Sequence, residues 1–230
     1  MKITYLGHSS LLVETAGTKL LFDPFITANP LAAGIDIEAL APDYVLLSHG
    51  HGDHVADAEA ILKGSGAMLI SNYEIVTWFG NRGIENVHPL NHGGGFTFPF
   101  GRVQYVTAIH SSMLPDGSYG GNPGGFVVTT PDGAFYFSGD TALTHDMKLI
   151  GEDNHLAWAA ICLGDNFTMG SKDAARAANW VGAKEVVGLH FDTFPPIVID
   201  HDEAVAEFAK YGARLHLLKP GEAIAIDPGA

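Results

Sequence analysis

The chain has 230 residues, a formal net charge of −14 and a pI of about 5.1. Hydrophobic residues make up 47% of it and charged residues 17%, which is the balance of a globular protein with a sizeable buried core. So acidic a chain is poorly matched to the phosphates of duplex DNA or RNA, or to an anionic membrane surface. The negative charge does not exclude a small anionic substrate, because a bound metal can supply local positive charge.

The N-terminal stretch MKITYLGHSS lacks the charged segment and long apolar run of a signal peptide. No apolar run approaches the roughly 20 residues that span a bilayer. The lone cysteine, Cys162, lies in the apolar run WAAICLG, so we expect it to be buried. These features predict a cytoplasmic protein.

Short strands open the chain, and the stretch SHGHGDH (residues 48–54) separates them from the first helix. Residues 26–42 are predicted as a loop with a short helix at 36–40. Ala16-Gly17 is a plausible hairpin turn. The predicted strands of this half are 3–6, 11–14, 19–22, 44–47 and 68–70, and the predicted helices are 55–62, which Gly64 and Gly66 close, and 73–79.

The middle of the chain changes from alternating elements to turns and loops. A glycine cluster precedes a predicted strand at 103–108. The stretch SSMLPDGSYGGNPGG (111–125) is longer than most connections in compact domains, so we expect a functional loop. Strands at 126–130 and 134–138 flank PDG, a strong hairpin signal.

The last third alternates helices with strands. Ser171 and Asp202 are reasonable N-caps for two of the helices. Both halves of the chain therefore begin rich in strands and later acquire helices, which predicts one α/β (α+β) domain over 1–230, with two packed sheets and helices outside. The predicted helices here are about 142–150, 171–181 and 202–211, and the strands are 160–163, 185–189, 215–218 and 223–226.

The stretch SHGHGDH concentrates metal-binding side chains directly after a buried strand. His49 and His51 are two residues apart, so in extended backbone they point to the same side. Asp53 and His54 come where the helix begins and can point toward a second metal. Neutral imidazole is the commonest zinc ligand and carboxylate is also accepted. The alternative, a solvated loop that happens to be rich in histidine, does not explain four such residues at a strand exit.

Four ligands do not complete two metal sites, so others must stand at strand ends elsewhere. His110, Asp140, His190 and Asp23 each follow a predicted strand. Taken singly, His110 or His190 is more often a hydrogen-bonded loop histidine. Together with the SHGHGDH stretch, they indicate a metal site at the strand exits.

The HxHxDH pattern, the aspartate after the third strand and the later isolated His, Asp and His resemble the motifs of the metallo-β-lactamase superfamily. The resemblance covers almost the whole chain and implies a four-layer αββα sandwich of two similar halves. It also implies that Asp23 orients a ligand histidine through its ring N–H. By the same resemblance, the first ion would take His49, His51 and His110, the second would take Asp53, His54 and His190, and Asp140 would bridge them.

The stretches YLGHSS, LFDPF, SGDT, GDNFTMG and LHFDTFP look like the uncharacterised metal-dependent hydrolase branch. That branch is similar to ascorbate-6-phosphate lactonases and, more distantly, to N-acyl-phosphatidylethanolamine phospholipase D. By this resemblance His8 faces the active site. Asp165, Asn166 and the backbone around Met169 are candidate substrate contacts, with a well-capped strand-to-helix turn as the alternative. Asp192 departs from the Asn expected in close relatives, which puts substrate contact there in doubt.

These features predict a hydrolase with two divalent cations. Zinc is the favoured ion, and manganese, iron and nickel are alternatives. A hydroxide shared by the ions would attack an ester, lactone, amide or phosphodiester of a small molecule. Asp53 would hold the metal and hydroxide, and His8 or a metal-bound water would protonate the leaving group.

Two other functions stay open at this point. One is a ribonuclease-type phosphodiesterase, which the acidic charge disfavours. The other is a metal-binding protein of the same fold without catalysis, which the full set of seven ligand positions disfavours. We expect no nucleic-acid or membrane partner. A homo-oligomer is expected only because relatives often assemble.

Overall fold

The computed structural model describes residues 1–227, and its first half forms one mixed sheet with helices on one face. The strands of this half are β1 (Lys2–Gly7), β2 (Ser10–Thr15), β3 (Thr18–Phe22), β4 (Tyr44–Leu46), β5 (Met68–Asn72) and β6 (Val87–Leu90). Its helices are α1 (Gly52–Val55), α2 (Ala58–Ser65) and α3 (Tyr73–Gly80).

The second half forms a second mixed sheet. Its strands are β7 (Gly95–Phe98), β8 (Gly101–Thr107), β9 (Gly124–Thr130), β10 (Gly133–Phe137), β11 (Leu156–Cys162), β12 (Glu185–Leu189) and β13 (Arg214–His216). Its α-helices are α4 (Asp146–Asp153), α5 (Ser171–Val181) and α6 (His201–Ala209), with a 3₁₀ turn at Pro195–Ile197. The last described strand, β14 (Ala223–Ala225), returns to pair with β1 in the first sheet.

The two sheets have matching topologies. The strand orders are β14-β1-β2-β3-β4-β5-β6 and β13-β12-β11-β10-β9-β8-β7. In each sheet antiparallel pairs give way to parallel ones, from β3 onward in the first and from β10 onward in the second. Because parallel strands end at the same edge of a sheet, the segments after β3 and β4 leave side by side, as do those after β10, β11 and β12.

The main core lies between the two sheets. Phe22 of the first sheet stacks on Phe137 of the second, with ring centroids 4.7 Å apart. Trp158, fully buried, stacks on Phe135 at 4.6 Å. A second cluster, which includes Leu62, packs α2 and α3 onto the outer face of the first sheet. The alanine-rich face of α5 joins the main core on the other side. The predicted αββα architecture is confirmed.

Most predicted elements are present, although several bounds differ. The helix at 171–181 and the strand at 185–189 match the structure residue for residue. The β2–β3 hairpin turns at Ala16-Gly17, both at positive φ, as predicted. Cys162 is buried, also as predicted. Strands β6 and β7 were not predicted, because they are short and β6 contains a proline.

Three helix predictions were wrong in part. No helix forms at 36–40, where the chain makes only turns and bends. The single helix at 55–62 is two helices, because the Asp57 side chain accepts hydrogen bonds from Ile26 N, Thr27 N and Thr27 Oγ1 and so fixes a break in the chain. The helix placed at 142–150 begins only at Asp146.

Both predicted N-caps were one or two residues too late. Gly170, not Ser171, caps α5 and makes no side-chain hydrogen bond there. Asp200, not Asp202, caps α6, and its Oδ1 accepts from Glu203 N at 3.0 Å. Within residues 1–227, no helix is long and apolar enough to cross a membrane.

Candidate metal centre

The predicted ligand side chains leave the ends of different strands and meet between the two sheets. His49, His51, Asp53 and His54 lie on the segment from the end of β4 into α1. His110 follows β8, Asp140 follows β10 and His190 follows β12. The structure brings all seven together, with His8 from the end of β1 and Asp23 from the end of β3. The seven ligand residues extend from His49 to His190 in sequence, so only the tertiary fold brings them together.

One group of ligand atoms consists of His49, His51 and His110, which lie within 4.8 Å of one another. His49 Nε2 is 3.0 Å from His51 Nδ1. His49 is fully buried, whereas His51 and His110 are partly exposed. This group therefore borders the solvent.

A second group consists of Asp53, His54 and His190, together with His8, again within 4.8 Å of one another. His54, His190 and His8 are buried, and Asp53 is the exposed member, with 29% of its side chain accessible. His190 Nε2 lies 3.7 Å from Asp53 Oδ2 and His54 Nε2 lies 3.9 Å from it. This group is deeper than the first.

Asp140 lies between the two groups. Its Oδ2 is 4.0 Å from His49 Nε2 and 3.7 Å from His110 Nε2 in the first group. The same oxygen is 3.3 Å from His54 Nε2 and 3.0 Å from His190 Nε2 in the second. Gly139, at φ 57, allows Asp140 to reach this position, because a Cβ on residue 139 would lie only 2.8 Å from Ser48 Cβ. Only glycine lets the two strand exits approach so closely.

Asp23 orients one histidine of each group. It is fully buried, and its Oδ2 is 2.8 Å from His54 Nδ1. Ser48 donates its N–H to Asp23 Oδ1 and its hydroxyl to Asp23 Oδ2. Because that hydroxyl proton is used, Ser48 Oγ accepts from His49 Nδ1 at 2.9 Å. In both rings Nδ1 is therefore a donor and Nε2 is the nitrogen turned toward the centre, where it can bind an ion once it is deprotonated.

The donor set fits a divalent cation. Imidazoles and carboxylates are ligands that zinc and related ions accept. Within residues 1–227, His54 Nε2 and Asp140 Oδ1 are buried and make no hydrogen bond. Buried polar atoms without partners are rare and costly, and a bound ion would supply the partner that these two atoms lack.

Burial and charge move the pKa values of the cluster in opposite directions. Burial lowers the pKa of His49 well below its usual value and that of His8 to about 4. Burial also opposes protonation of His190 and His54, but the carboxylate of Asp140 outweighs it, raising the pKa of His190 to about 9 and that of His54 well above its usual value. A cation that binds at Asp140 therefore displaces protons from these two rings.

The predicted substrate contacts lie on the turn after β11, which borders the cluster: a Cβ on Gly164 would lie 2.0 Å from the His190 carbonyl oxygen. Asp165 and Asn166 are exposed in the turn after β11, both at positive φ. Asp165 lines a cleft of about 580 Å³ beside the start of α5, with Lys172 and Arg176. The Met169 side chain is buried in the main core, so only its backbone is available for the role predicted.

Three serine or threonine side chains at the centre were not predicted. Ser48 orients His49, and Thr193 Oγ1 lies 3.0 Å from His8 Nδ1. Ser112 Oγ accepts from Gly50 N and so attaches the long loop to the SHGHGDH stretch. Ser48 was detectable, because it directly precedes His49 in sequence. Nothing in the sequence indicated Thr193 or Ser112, because their partners, His8 and Gly50, are distant in sequence.

Comparison with known proteins agrees with this geometry. A family model described as a β-lactamase superfamily domain matches residues 2–190. A UPF0173 metal-dependent hydrolase of Flavobacterium johnsoniae is 50% identical over 224 residues, covering 97% of this chain and 99% of the relative. The UPF0173 metal-dependent hydrolase YtkL of Bacillus subtilis is 46% identical over 213 residues, covering 90% and 92%.

Among solved structures, Igni18, a metallo hydrolase of the archaeon Ignicoccus hospitalis, is 31% identical with a TM-score of 0.88 and covers 97% of each chain. These relatives support the predicted metal-dependent hydrolase branch, whereas the likeness to ascorbate-6-phosphate lactonases stays a prediction. The chain belongs to the metallo-β-lactamase superfamily and is a metal-dependent hydrolase.

Proposed function

We propose that this hydrolase uses two divalent cations, with zinc the favoured ion, to cleave an ester, lactone, amide or phosphodiester bond of a small molecule. The observation that carries the proposal is the position of Asp140, whose Oδ2 lies within 4.0 Å of Nε2 atoms from both histidine groups. A carboxylate shared in this way suits two adjacent ions better than one.

The ligand sets follow from the two groups. His49, His51 and His110 would hold one ion, and Asp53, His54 and His190 the other, with Asp140 between them. When bound, such a pair of ions lowers the pKa of a shared water and polarises the bond to be cleaved. Asp23 keeps the His54 ring, and through Ser48 the His49 ring, in the ligating tautomer.

Asp53 is the group that can handle a proton at the reacting water. Solvent reaches 29% of its side chain but only 2% of Asp140. The carboxylate of Asp53 is therefore the one that can accept a proton at the mouth of the site and return it to a leaving group.

The proposed substrate is a small molecule rather than a nucleic acid or a membrane lipid surface. A net charge of −14 opposes the polyanion binding that a ribonuclease requires. Two partly exposed segments flank the centre, the loop that carries Ser111 and the turn that carries Asp165, and loops of this kind shape specificity.

The first experiment measures metal content and turnover together. Purified protein should hold two transition-metal ions per chain, and a panel of lactones, phosphodiesters and acyl amides should include a substrate. His49→Ala and Asp140→Ala should each abolish turnover, whereas His145→Ala, on an exposed residue at the start of α4, should leave it unchanged. Trace metal that is unaffected by His51→Ala would contradict the proposal. Cleavage of RNA in preference to the panel would favour the phosphodiesterase alternative.

A further inference from the structure

His8 belongs geometrically to the deeper group of ligands. It lies at the end of β1 in a left-handed conformation, with φ 56, which turns its ring inward. Its Nε2 is 3.0 Å from Asp53 Oδ2. Ligand atoms bound to one ion at about 2.0–2.2 Å stand roughly 3–3.6 Å apart at tetrahedral or octahedral angles. The spacing of His8 and Asp53 is therefore that of two ligands of one ion.

Burial argues against His8 as the acid that protonates a leaving group. None of its side chain is accessible to solvent. Its ring is enclosed by Phe25 at 5.6 Å, Phe194 at 5.5 Å and the ring of His190 at 4.1 Å. A general acid must come within hydrogen-bond reach of the substrate, and these rings leave no room for one beside His8.

Thr193 favours the tautomer that a metal ligand needs. Its Oγ1 lies 3.0 Å from His8 Nδ1 and donates to the carbonyl of Phe191 at 3.3 Å. A hydroxyl has one proton, so while it donates to Phe191 it accepts from His8 Nδ1–H. The Nε2 atom then carries a lone pair that faces the Asp53 carboxylate. Two facing lone pairs at that distance repel each other unless a proton or a metal ion lies between them.

The arrangement repeats the one seen at the predicted ligands. His54 has its Nδ1 on Asp23 and His49 has its Nδ1 on Ser48, and both direct Nε2 to the centre. We propose that His8 is an additional ligand of the ion held by Asp53, His54 and His190, with Thr193 as its positioning residue. The inference rests on the proposed two-ion function.

The two ions would then differ in their number of protein ligands. His8, Asp53, His54, His190 and Asp140 would supply five protein groups to the deeper ion. The other ion would have four, namely His49, His51, His110 and the shared Asp140. Because an ion with fewer protein ligands keeps a position free, the substrate oxygen would bind the solvent-bordering ion.

The test measures ion binding rather than turnover. Chelator-treated protein is titrated with Zn²⁺ and, separately, with Co²⁺, whose visible absorption reports coordination number. His8→Ala should weaken one of the two ions more than tenfold and leave the other within about twofold. Thr193→Val should weaken the same ion by roughly tenfold or more, the size expected when a ligand loses its hydrogen-bond partner. Thr193→Ser, which keeps the hydroxyl, should restore it.

Thr130→Val is the matched control, because it also removes a buried threonine hydroxyl, but one whose hydrogen bonds to Thr15 and to the Gly133 carbonyl involve none of the ligand residues. It should leave both affinities unchanged. If His8→Ala and Thr193→Val bind both ions like the wild type, with unchanged cobalt spectra, the proposal is wrong, even if turnover is lost. Wild-type protein that binds a single ion would instead overturn the two-ion function itself. Should His8→Ala fail to fold, the comparison of ion binding by Thr193→Val and Thr193→Ser still tests the proposal.

Discussion

At the scale of single residues, the centre is built from backbone conformations that side chains rarely adopt. His8, Asp23 and His190 all have positive φ, and each is the residue at a strand exit whose side chain enters the cluster. Such conformations cost of order 1–3 kcal/mol each and persist only where the surroundings enforce them. Here hydrogen bonds enforce them: for example, His190 N donates to the His8 carbonyl at 2.8 Å.

Asp23 and Ser48 should affect the two proposed ions differently. Asp23→Ala removes the partner of His54 and, through Ser48, that of His49, so we expect both ions to bind roughly 10–100-fold more weakly. Ser48→Ala should weaken only the ion that His49 serves. Titration of chelator-treated protein checks this. Equal losses for both ions in Ser48→Ala would contradict the chain of hydrogen bonds.

The stability of the metal-free protein should fall as the pH rises from 6.5 to 9. Burial disfavours the charged form of His190, but Asp140 outweighs it and raises its pKa to about 9 in the folded chain, against 6.5 in an unfolded one. Its contribution is thus fully present below pH 6.5 and is lost as the pH passes 9. Thermal melts with a chelator across this range should show Tm falling by several degrees. His190→Gln should make this fall of Tm with pH less steep. A Tm of the wild-type protein that rises between pH 6.5 and 9 would contradict the prediction.

At the scale of elements, hydrophobic pattern located most strands and helices, whereas side-chain contacts set their ends. The strand at 185–189 starts with Glu185 and continues as a buried stretch of Val186, Val187, Gly188 and Leu189, and its bounds match the prediction. The helix at 55–62 was predicted as one, because nothing nearby in sequence announces that Asp57 binds residues 26 and 27. Contacts across 30 positions are invisible to local periodicity.

The long loop between β8 and β9 is fixed at both of its arms. Asp116 accepts from Trp78 Nε1 on α3 at 2.7 Å and from Arg82, just after α3, at 3.3 Å. Asn72 donates to the Gly120 carbonyl at 2.8 Å. Ser111 Oγ on the same loop lies 3.3 Å from His51 Nε2. The structure therefore gives this loop, predicted to be functional, a defined conformation beside the centre.

Loss of the Asp116 contacts should loosen the loop and not the fold. Asp116→Ala should speed limited proteolysis within residues 111–123 severalfold, while Tm changes little because the pairs are exposed. Asp132→Ala is the matched control, since this partly exposed aspartate accepts comparable hydrogen bonds from Ala16 N and Thr15 at another turn. An unchanged cleavage rate in Asp116→Ala would show that the loop is held by other contacts.

At the scale of the whole molecule, the two sheets contribute different parts of one centre. The first supplies His8, Asp23 and the SHGHGDH stretch, and the second supplies His110, Asp140 and His190. A bound ion would therefore join the two halves of the sandwich. Removal of the ions should destabilise the whole molecule and not only the loops around them.

Chelation should lower Tm in proportion to what the ions contribute. A ligand at 100 times its Kd stabilises the folded state by about 2.7 kcal/mol, and about 1 kcal/mol moves Tm by roughly 2–4 °C for a chain of this size. We expect a fall of roughly 5 °C or more for each ion removed, reversed by adding Zn²⁺. Differential scanning calorimetry with and without chelator measures it. The same Tm in both would mean that the ions do not bridge the halves.

The sequence by itself determined the fold class and the family, and it identified the residues of the candidate metal centre. HxHxDH after a buried strand is a local pattern, and so is each isolated ligand at a strand exit, because strand ends and residue types are both readable along the chain. Only the tertiary structure decided which atoms face each other. The proximity of His8 to Asp53, the link from Asp23 through Ser48 to His49 and the support of His8 by Thr193 depend on residues from different strand exits. Only the contact of His8 with Thr193 also joins the two sheets. Such contacts have no period or spacing in the sequence, since they arise only when separate strand ends converge.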